Sequence, residues 1–126
     1  MAGGETARGA APLAGRRVLL VEDEFFLAQE LARAFAAQGA AVIGPAATTD
    51  DALDLIEQEG RIDGAVLDLN LQGEMAYPVA DALLARGVPF VFATGYDAAS
   101  VPARYAGVSR CEKPVSPAAI MRALFG

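Results

Sequence analysis

Short apolar runs alternate with stretches of helical periodicity five times along this chain, and few folds accommodate that alternation. Val18-Leu19-Leu20-Val21 is apolar without a break, the pattern of a strand buried on both faces. Phe25 to Gln38 carries Ala28, Leu31, Ala32 and Phe35 on one helical face, and Gly39 stops it. Ala41-Val42-Ile43 reads as a second strand, ended by Gly44-Pro45. Thr48-Thr49-Asp50-Asp51 offers caps for a helix that turns Ala52, Leu55 and Ile56 inward and stops at Gly60. Ala65-Val66-Leu67 is a third strand, running into Asp68-Leu69-Asn70. After a loop through Gly73, the residues Val79, Ala82 and Leu83 mark a third helix, stopped at Gly87. Pro89 opens a fourth strand, Phe90 to Ala93, which tolerates proline at its first position. Asp97 to Gly107 makes a poor helix because Pro102 falls inside it. Val108 to Glu112 is a fifth strand, and Ser116 caps a last helix with Pro117 in its first turn and Ile120 and Leu124 inward.

Strand–helix alternation with short connections predicts an α/β fold, a parallel sheet covered on both faces and wound with right-handed crossovers. Five such units fit a flavodoxin-like, doubly wound five-stranded parallel sheet of order 2-1-3-4-5, with about five helices and a weak fourth one. A length of 126 residues sets the expectation of one core. The Gly- and Ala-rich residues 1–15 read as a flexible tail and 16–126 as the domain. No apolar run approaches the roughly 18–20 residues that span a bilayer, and the first residues lack a signal peptide's apolar centre, so the expected location is cytoplasmic.

Composition removes much chemistry. The chain has no histidine, which excludes Ser-His-Asp and Cys-His catalysis and most transition-metal sites. Its single cysteine, Cys111, excludes an internal disulfide and multi-cysteine zinc, and reads as a small core residue of strand five. A net charge of −6 argues against nucleic acid as a partner. Of ten basic residues only Lys113 is a lysine, placed at the end of a strand and before Pro114. A compact ammonium there suits a point-charge role that a planar guanidinium fills poorly.

In an open parallel sheet, ligands bind beyond the carboxyl ends of the strands, at the point where the winding reverses. The conspicuous polar residues all lie at such ends: Glu22 and Asp23 after strand one, Asp68 after strand three, Thr94 after strand four and Lys113 after strand five. Taken singly, Asp23 also reads as a helix N-cap, Asp68 as an Asx turn and Thr94 as a β-branched strand residue. Neighbouring strands lie about 4.8 Å apart, so Asp23 and Asp68 project into one small space and repel unless a cation joins them. A hard divalent ion with oxygen ligands, Mg²⁺ above all, answers that need. Aspartate can also attack phosphorus, and phosphoryl transfer asks mainly for positioning and charge neutralisation. Lys113 and a metal would supply the neutralisation and Thr94 a hydroxyl hydrogen bond. An ionised carboxylate needs no general base.

At these residues the chain resembles the receiver domain of bacterial two-component response regulators, from about Arg17 to Phe125. The resemblance implies that Asp68 is the phosphoacceptor, modified by a sensor histidine kinase or a histidine phosphotransfer protein in a Mg²⁺-dependent reaction (Mn²⁺ substituting). It implies that Asp23 ligates the metal directly, Glu22 largely through water and Asn70 through its backbone carbonyl. Lys113 matches the phosphate-binding lysine, with a bond to Pro114 that is usually cis, and Thr94 the switch hydroxyl. Arg110 departs from the pattern, since receivers usually carry an aromatic there. Phe92-Ala93-Thr94-Gly95-Tyr96 is similar instead to an atypical single-domain subgroup, in which Tyr96 takes part in switching. With nothing after Phe125 for an output domain, the expected behaviour is that of a stand-alone receiver. It would signal by protein contact or act as a phosphate sink, assisting its own phosphorylation and dephosphorylation without turnover of a separate substrate. Family members often form homodimers through the face of helix four, strand five and helix five.

Other readings compete. An aspartyl-phosphate phosphatase usually needs a second Asp two residues past the nucleophile, where this chain has Asn70. A flavin binder would want a Ser/Thr/Gly-rich loop where Glu22-Asp23-Glu24 stands, and those carboxylates repel phosphate. A receiver that binds partners without phosphorylation has no need of the complete polar set.

Overall fold

The computed structural model describes residues 11–95 and 101–126. In chain order the elements are β1 (Arg17–Val21), α1 (Phe25–Ala37), β2 (Ala41–Ala46), α2 (Thr49–Gln58), β3 (Gly64–Asp68), a hairpin of β4 (Asn70–Leu71) and β5 (Glu74–Met75), α3 (Tyr77–Ala85), β6 (Phe90–Thr94), a single 3₁₀ turn (Ala103–Tyr105), β7 (Ser109–Glu112) and α4 (Pro117–Phe125). The main sheet runs β2-β1-β3-β6-β7, every pair parallel, which is the expected order 2-1-3-4-5 once the hairpin strands are set aside.

The unbroken apolar run of β1 is explained by the two layers it touches. Leu19 and Val21 point into one core with Ile43, Ile56, Leu67, Val79, Leu83 and Phe92, beneath α2 and α3. Val18 and Leu20 point into the other with Leu31, Phe35, Val66, Val91 and Ile120, beneath α1 and α4. Burying each such side chain contributes about 1.5–3 kcal/mol. Central β3 and β6 are buried along their whole length, whereas the edge strands β2 and β7 are largely exposed. Helix entries follow the chemistry of their caps. Thr48 Oγ1 accepts from the Asp51 amide at α2, and Ser116 Oγ accepts from the Ala119 amide at α4, with Pro117 in the first turn.

Several local expectations need correction. Residues 12–15, assigned to the tail, form a turn in which Leu13 is buried in the second core and its amide donates to Gln38 O at 2.8 Å. Its burial on α1 outweighs the Gly- and Ala-rich composition around it. β2 does not stop at Gly44-Pro45 but runs on to Ala46. It is an edge strand with a register irregularity opposite Leu19 and Val21, so the missing proline N–H costs no ladder bond. The loop through Gly73 is a hairpin. The described helices number four rather than about five, because residues 101–107 hold only the 3₁₀ turn, capped by Pro102. Tyr96 and the start of the expected fourth helix at Asp97 lie outside the described residues.

Candidate functional site

Parallel pairing delivers the polar strand ends to one rim. Val21 pairs with Leu67, Asp68 with Ala93 and Thr94 with Glu112, so Glu22, Asp68, Thr94 and Lys113 close consecutive strands at one level. The Lys113 amide donates to Thr94 O at 2.8 Å, and the Glu22 amide to Ala46 O at 2.9 Å. The Lys113–Pro114 bond is cis.

The carboxylates of Glu22, Asp23 and Asp68 each place an oxygen within 4.8 Å of the others. Glu22 and Asp68 are buried, and Asp23 is half-buried. The Lys113 ammonium lies 2.9 Å from Asp68 Oδ2 and 3.4 Å from Glu22 Oε1. Backbone amides engage one further oxygen of each carboxylate. Asn70 N–H donates to Asp68 Oδ1 at 3.1 Å, Glu24 N–H to Glu22 Oε2 at 3.0 Å and Gln72 N–H to Asp23 Oδ2 at 2.9 Å. Asp68 thus makes the Asx turn that its position after a strand suggests, in addition to its ion pair. Asp23 does not cap α1, whose N-cap is Glu24 without a side-chain bond.

Electrostatics show what the cluster lacks. Burial pushes the Glu22 carboxyl up to about 7 against the opposing Glu24 amide, and the Asp68 charge adds to the rise. Burial also works against the Lys113 ammonium, but the hydrogen bond and charge of Asp68, with Glu22 behind, hold it above its ordinary value. Three carboxylates facing one ammonium leave excess negative charge in a half-buried cleft. The donors are all hard oxygens, and the residues present fit a divalent cation of the Mg²⁺ or Ca²⁺ type.

Thr94 is 1% exposed, and its Oγ1 finds no hydrogen-bond partner among the described residues. A buried hydroxyl left unpaired costs about 1–3 kcal/mol, which calls for an explanation. Arg110 stands exposed on β7, in register with Phe92. Phe92 packs against Phe90 of its own strand and against Tyr105, a residue sequence reasoning missed. It is 1% exposed, meets the Phe92 ring edge-on at 5.6 Å and stacks on Tyr77 at 5.4 Å. Its hydroxyl donates to Asp81 Oδ1 at 2.5 Å, and Arg104 pairs with the same carboxylate at 3.0 Å while its guanidinium lies 4.5 Å over the Tyr105 ring. Pro102 had removed helical periodicity as a signal over this stretch. The spacing of Val101, Tyr105 and Val108, all packed on the first core, was the trace left to read. Cys111 is half-buried against the second core, where burial pushes its thiol up.

No family model matches the sequence, and no curated protein matches it. Solved structures do. SdrG from Sphingomonas melonis Fr1 is 38% identical, with 88% of this chain and 97% of that chain covered and a TM-score of 0.75. The BeF₃-activated conformation of SdrG from Pseudomonas melonis Fr1 is 37% identical, covering 90% of this chain and 99% of that chain at a TM-score of 0.74. The response regulator PhyR from Brucella abortus is 27% identical, with 96% of this chain but 53% of that chain covered and a TM-score of 0.73. A Burkholderia pseudomallei response regulator, solved with a phosphorylated aspartic acid, a calcium ion and citrate, is also 27% identical, covering 86% of this chain and 66% of that chain at a TM-score of 0.72.

Proposed function

The chain belongs to the response regulator receiver domains, and from that premise we propose that it accepts a phosphoryl group on Asp68 in a reaction that depends on a divalent cation. One observation carries the reading: a buried aspartate at the end of the central strand, its Oδ2 held 2.9 Å from the chain's only lysine and beside two further carboxylates. A carboxylate oxygen of Asp68 bonds to phosphorus as the phosphorus–nitrogen bond of a donor phosphohistidine breaks, the electron pair leaving with the imidazole. A sensor histidine kinase or histidine phosphotransfer protein supplies that donor. Lys113 neutralises charge on the incoming group, and its present contact with Asp68 positions it to do so. Asp23, Glu22, Asp68 and the Asn70 carbonyl would hold Mg²⁺, which when bound neutralises phosphoryl charge and orients it.

Thr94 turns its hydroxyl to a phosphoryl oxygen, a role supported by its lack of a partner among the described residues of the unmodified protein. Readout passes through the segment that follows β6, with Tyr96 and Tyr105 in place of the aromatic that Arg110 replaces. The phosphorylated aspartate of the Burkholderia relative and the BeF₃-activated form of SdrG support this reading for a similar frame. Hydroxylamine treatment and borohydride mapping of the phosphorylated protein test it. An acyl phosphate assigned to Asp68 is expected, and a hydroxylamine-stable phosphate or another acceptor residue overturns it.

A further inference from the structure

We propose that the main-chain amide of Gln72, presented by a strained hairpin turn, is a positioning group that leaves Asp23 one free carboxylate oxygen and thereby biases the site toward Mg²⁺ over Ca²⁺. The inference rests on the reading of the cluster as a cation-dependent phosphoacceptor site.

β4 and β5 pair Leu71 with Glu74, leaving Gln72 and Gly73 as a two-residue turn. Both have positive φ, 54° and 86°, as the tightest hairpin connection requires. Glycine accepts that conformation freely, but a glutamine in it costs roughly 1–2 kcal/mol. The strained residue is the one whose N–H reaches Asp23 Oδ2 at 2.9 Å, from 49 positions away in the chain. The turn is pinned from below, because Gly73 N–H donates to Asn70 Oδ1 at 2.8 Å. Strain kept where it makes a site contact points to a role for that contact.

With Oδ2 accepting from Gln72, Asp23 presents Oδ1 to a cation without competition from that bond. The other two carboxylates have a protein partner at both oxygens, Glu22 Oε1 lying 3.4 Å from Lys113, and reach a cation through the second lone pair of an engaged oxygen. Asp68 Oδ1 accepts from Asn70 and Oδ2 faces Lys113, and Glu22 Oε2 accepts from Glu24. The Glu24 and Asn70 amides lie two residues beyond their acceptors, so local chain geometry supplies them. Only the Gln72 amide among these three is delivered by a separate device. Ca²⁺ gathers about 6–8 oxygens at longer distances and commonly takes both oxygens of a carboxylate, whereas Mg²⁺ takes single oxygens and keeps its waters. Chelation of Ca²⁺ by both oxygens of Asp23 competes with the Gln72 bond for Oδ2; single-oxygen binding of Mg²⁺ through Oδ1 does not.

Calorimetric titration of the full chain with MgCl₂ and with CaCl₂ tests this. A Cβ at Gly73 would meet nothing within 4 Å, so Gly73→Val opens the turn through its φ and not through a clash. Gly73→Asn, which tolerates that φ, keeps it. Gly73→Val is expected to shift the Mg²⁺/Ca²⁺ affinity ratio toward Ca²⁺ on the order of 10-fold, the size of effect seen when groups supporting a metal ligand are removed. Gly73→Asn should retain the wild-type ratio. Equal weakening toward both ions in Gly73→Val, leaving the ratio unchanged, shows a merely structural turn and overturns the proposal. Should Gly73→Val fail to fold, amide hydrogen exchange on the wild type decides. Protection of Gln72 N–H that persists with Mg²⁺ and falls with Ca²⁺ supports the proposal, and equal protection with both ions overturns it. A wild type that binds neither ion defeats the reading of the site itself.

Discussion

Replacing Thr94 by valine should make the unmodified protein more stable. Thr94 lies in β6, a strand buried along its whole length, and its Oγ1 has no partner among the described residues. Valine has nearly the same shape and a similar liking for strands, so the packing of this buried position is kept. What changes is the unpaired hydroxyl, whose desolvation costs about 1–3 kcal/mol and is not offset by a bond. Allowing for imperfect fit of the methyl group, the expected gain is about 1–2 kcal/mol. For a domain of this size that is a rise of roughly 3–10 °C in Tm, or roughly 0.5–1.5 M in the urea midpoint at unchanged slope. Urea unfolding followed by circular dichroism reads it directly. The same variant should lose most of the stabilisation that phosphorylation or BeF₃ confers on the wild type, because its side chain has no hydroxyl to donate to a phosphoryl oxygen. A functional residue that costs stability until its partner arrives is the expected trade. A Thr94→Val protein destabilised by 1 kcal/mol or more would refute the reasoning, since it would mean that the hydroxyl already makes a worthwhile bond in the resting state.

Tyr105→Phe removes the hydroxyl bonds to Asp81 and Tyr77 O while leaving the ring in place, and should cost about 1–2 kcal/mol in the same urea assay; Tyr105→Ala should cost about 3–5 kcal/mol. Burial, with the Asp81 carboxylate, pushes the Tyr105 phenol from 10 up to about 12, so its neutral form is favoured in the fold. Its contribution is therefore fully present below pH 10 and is lost as pH rises through 12, and stability curves of wild type and Tyr105→Phe should converge over that interval. Curves that stay parallel there would contradict the assignment. Lys113→Ala leaves three carboxylates without their cation, so thermal shift should show a lowered Tm that MgCl₂ restores by a larger increment than it gives the wild type. An equal increment in both proteins counts against the shared cluster.

The parts of the fold visible in the sequence were those with a long enough signal. Val18 to Val21 announced a strand covered on both sides, and the two core layers it feeds are the reason. The polar residues at the strand ends could be gathered into one site because parallel register needs no side-chain detail. What escaped was short or set by tertiary contact. Two-residue strands such as Asn70–Leu71 and Glu74–Met75 carry no periodicity to detect. Leu13 looked like part of a Gly- and Ala-rich tail, and only its seat against α1 reveals it as core. Tyr105 was hidden by Pro102, which removed the helical pattern that would have pointed it inward. Gln72 could not be found from residue type at all, since its main-chain amide makes the contact.

The most direct test of the central claim is intact-mass spectrometry after incubation with acetyl phosphate or a phosphorylated histidine kinase, with Mg²⁺ and with excess chelator. The wild type should gain the mass of one phosphoryl group in the presence of Mg²⁺ and none with chelator, while Asp68→Asn gains none in either. No gain by the wild type from either donor, or an equal gain by Asp68→Asn, would contradict the account.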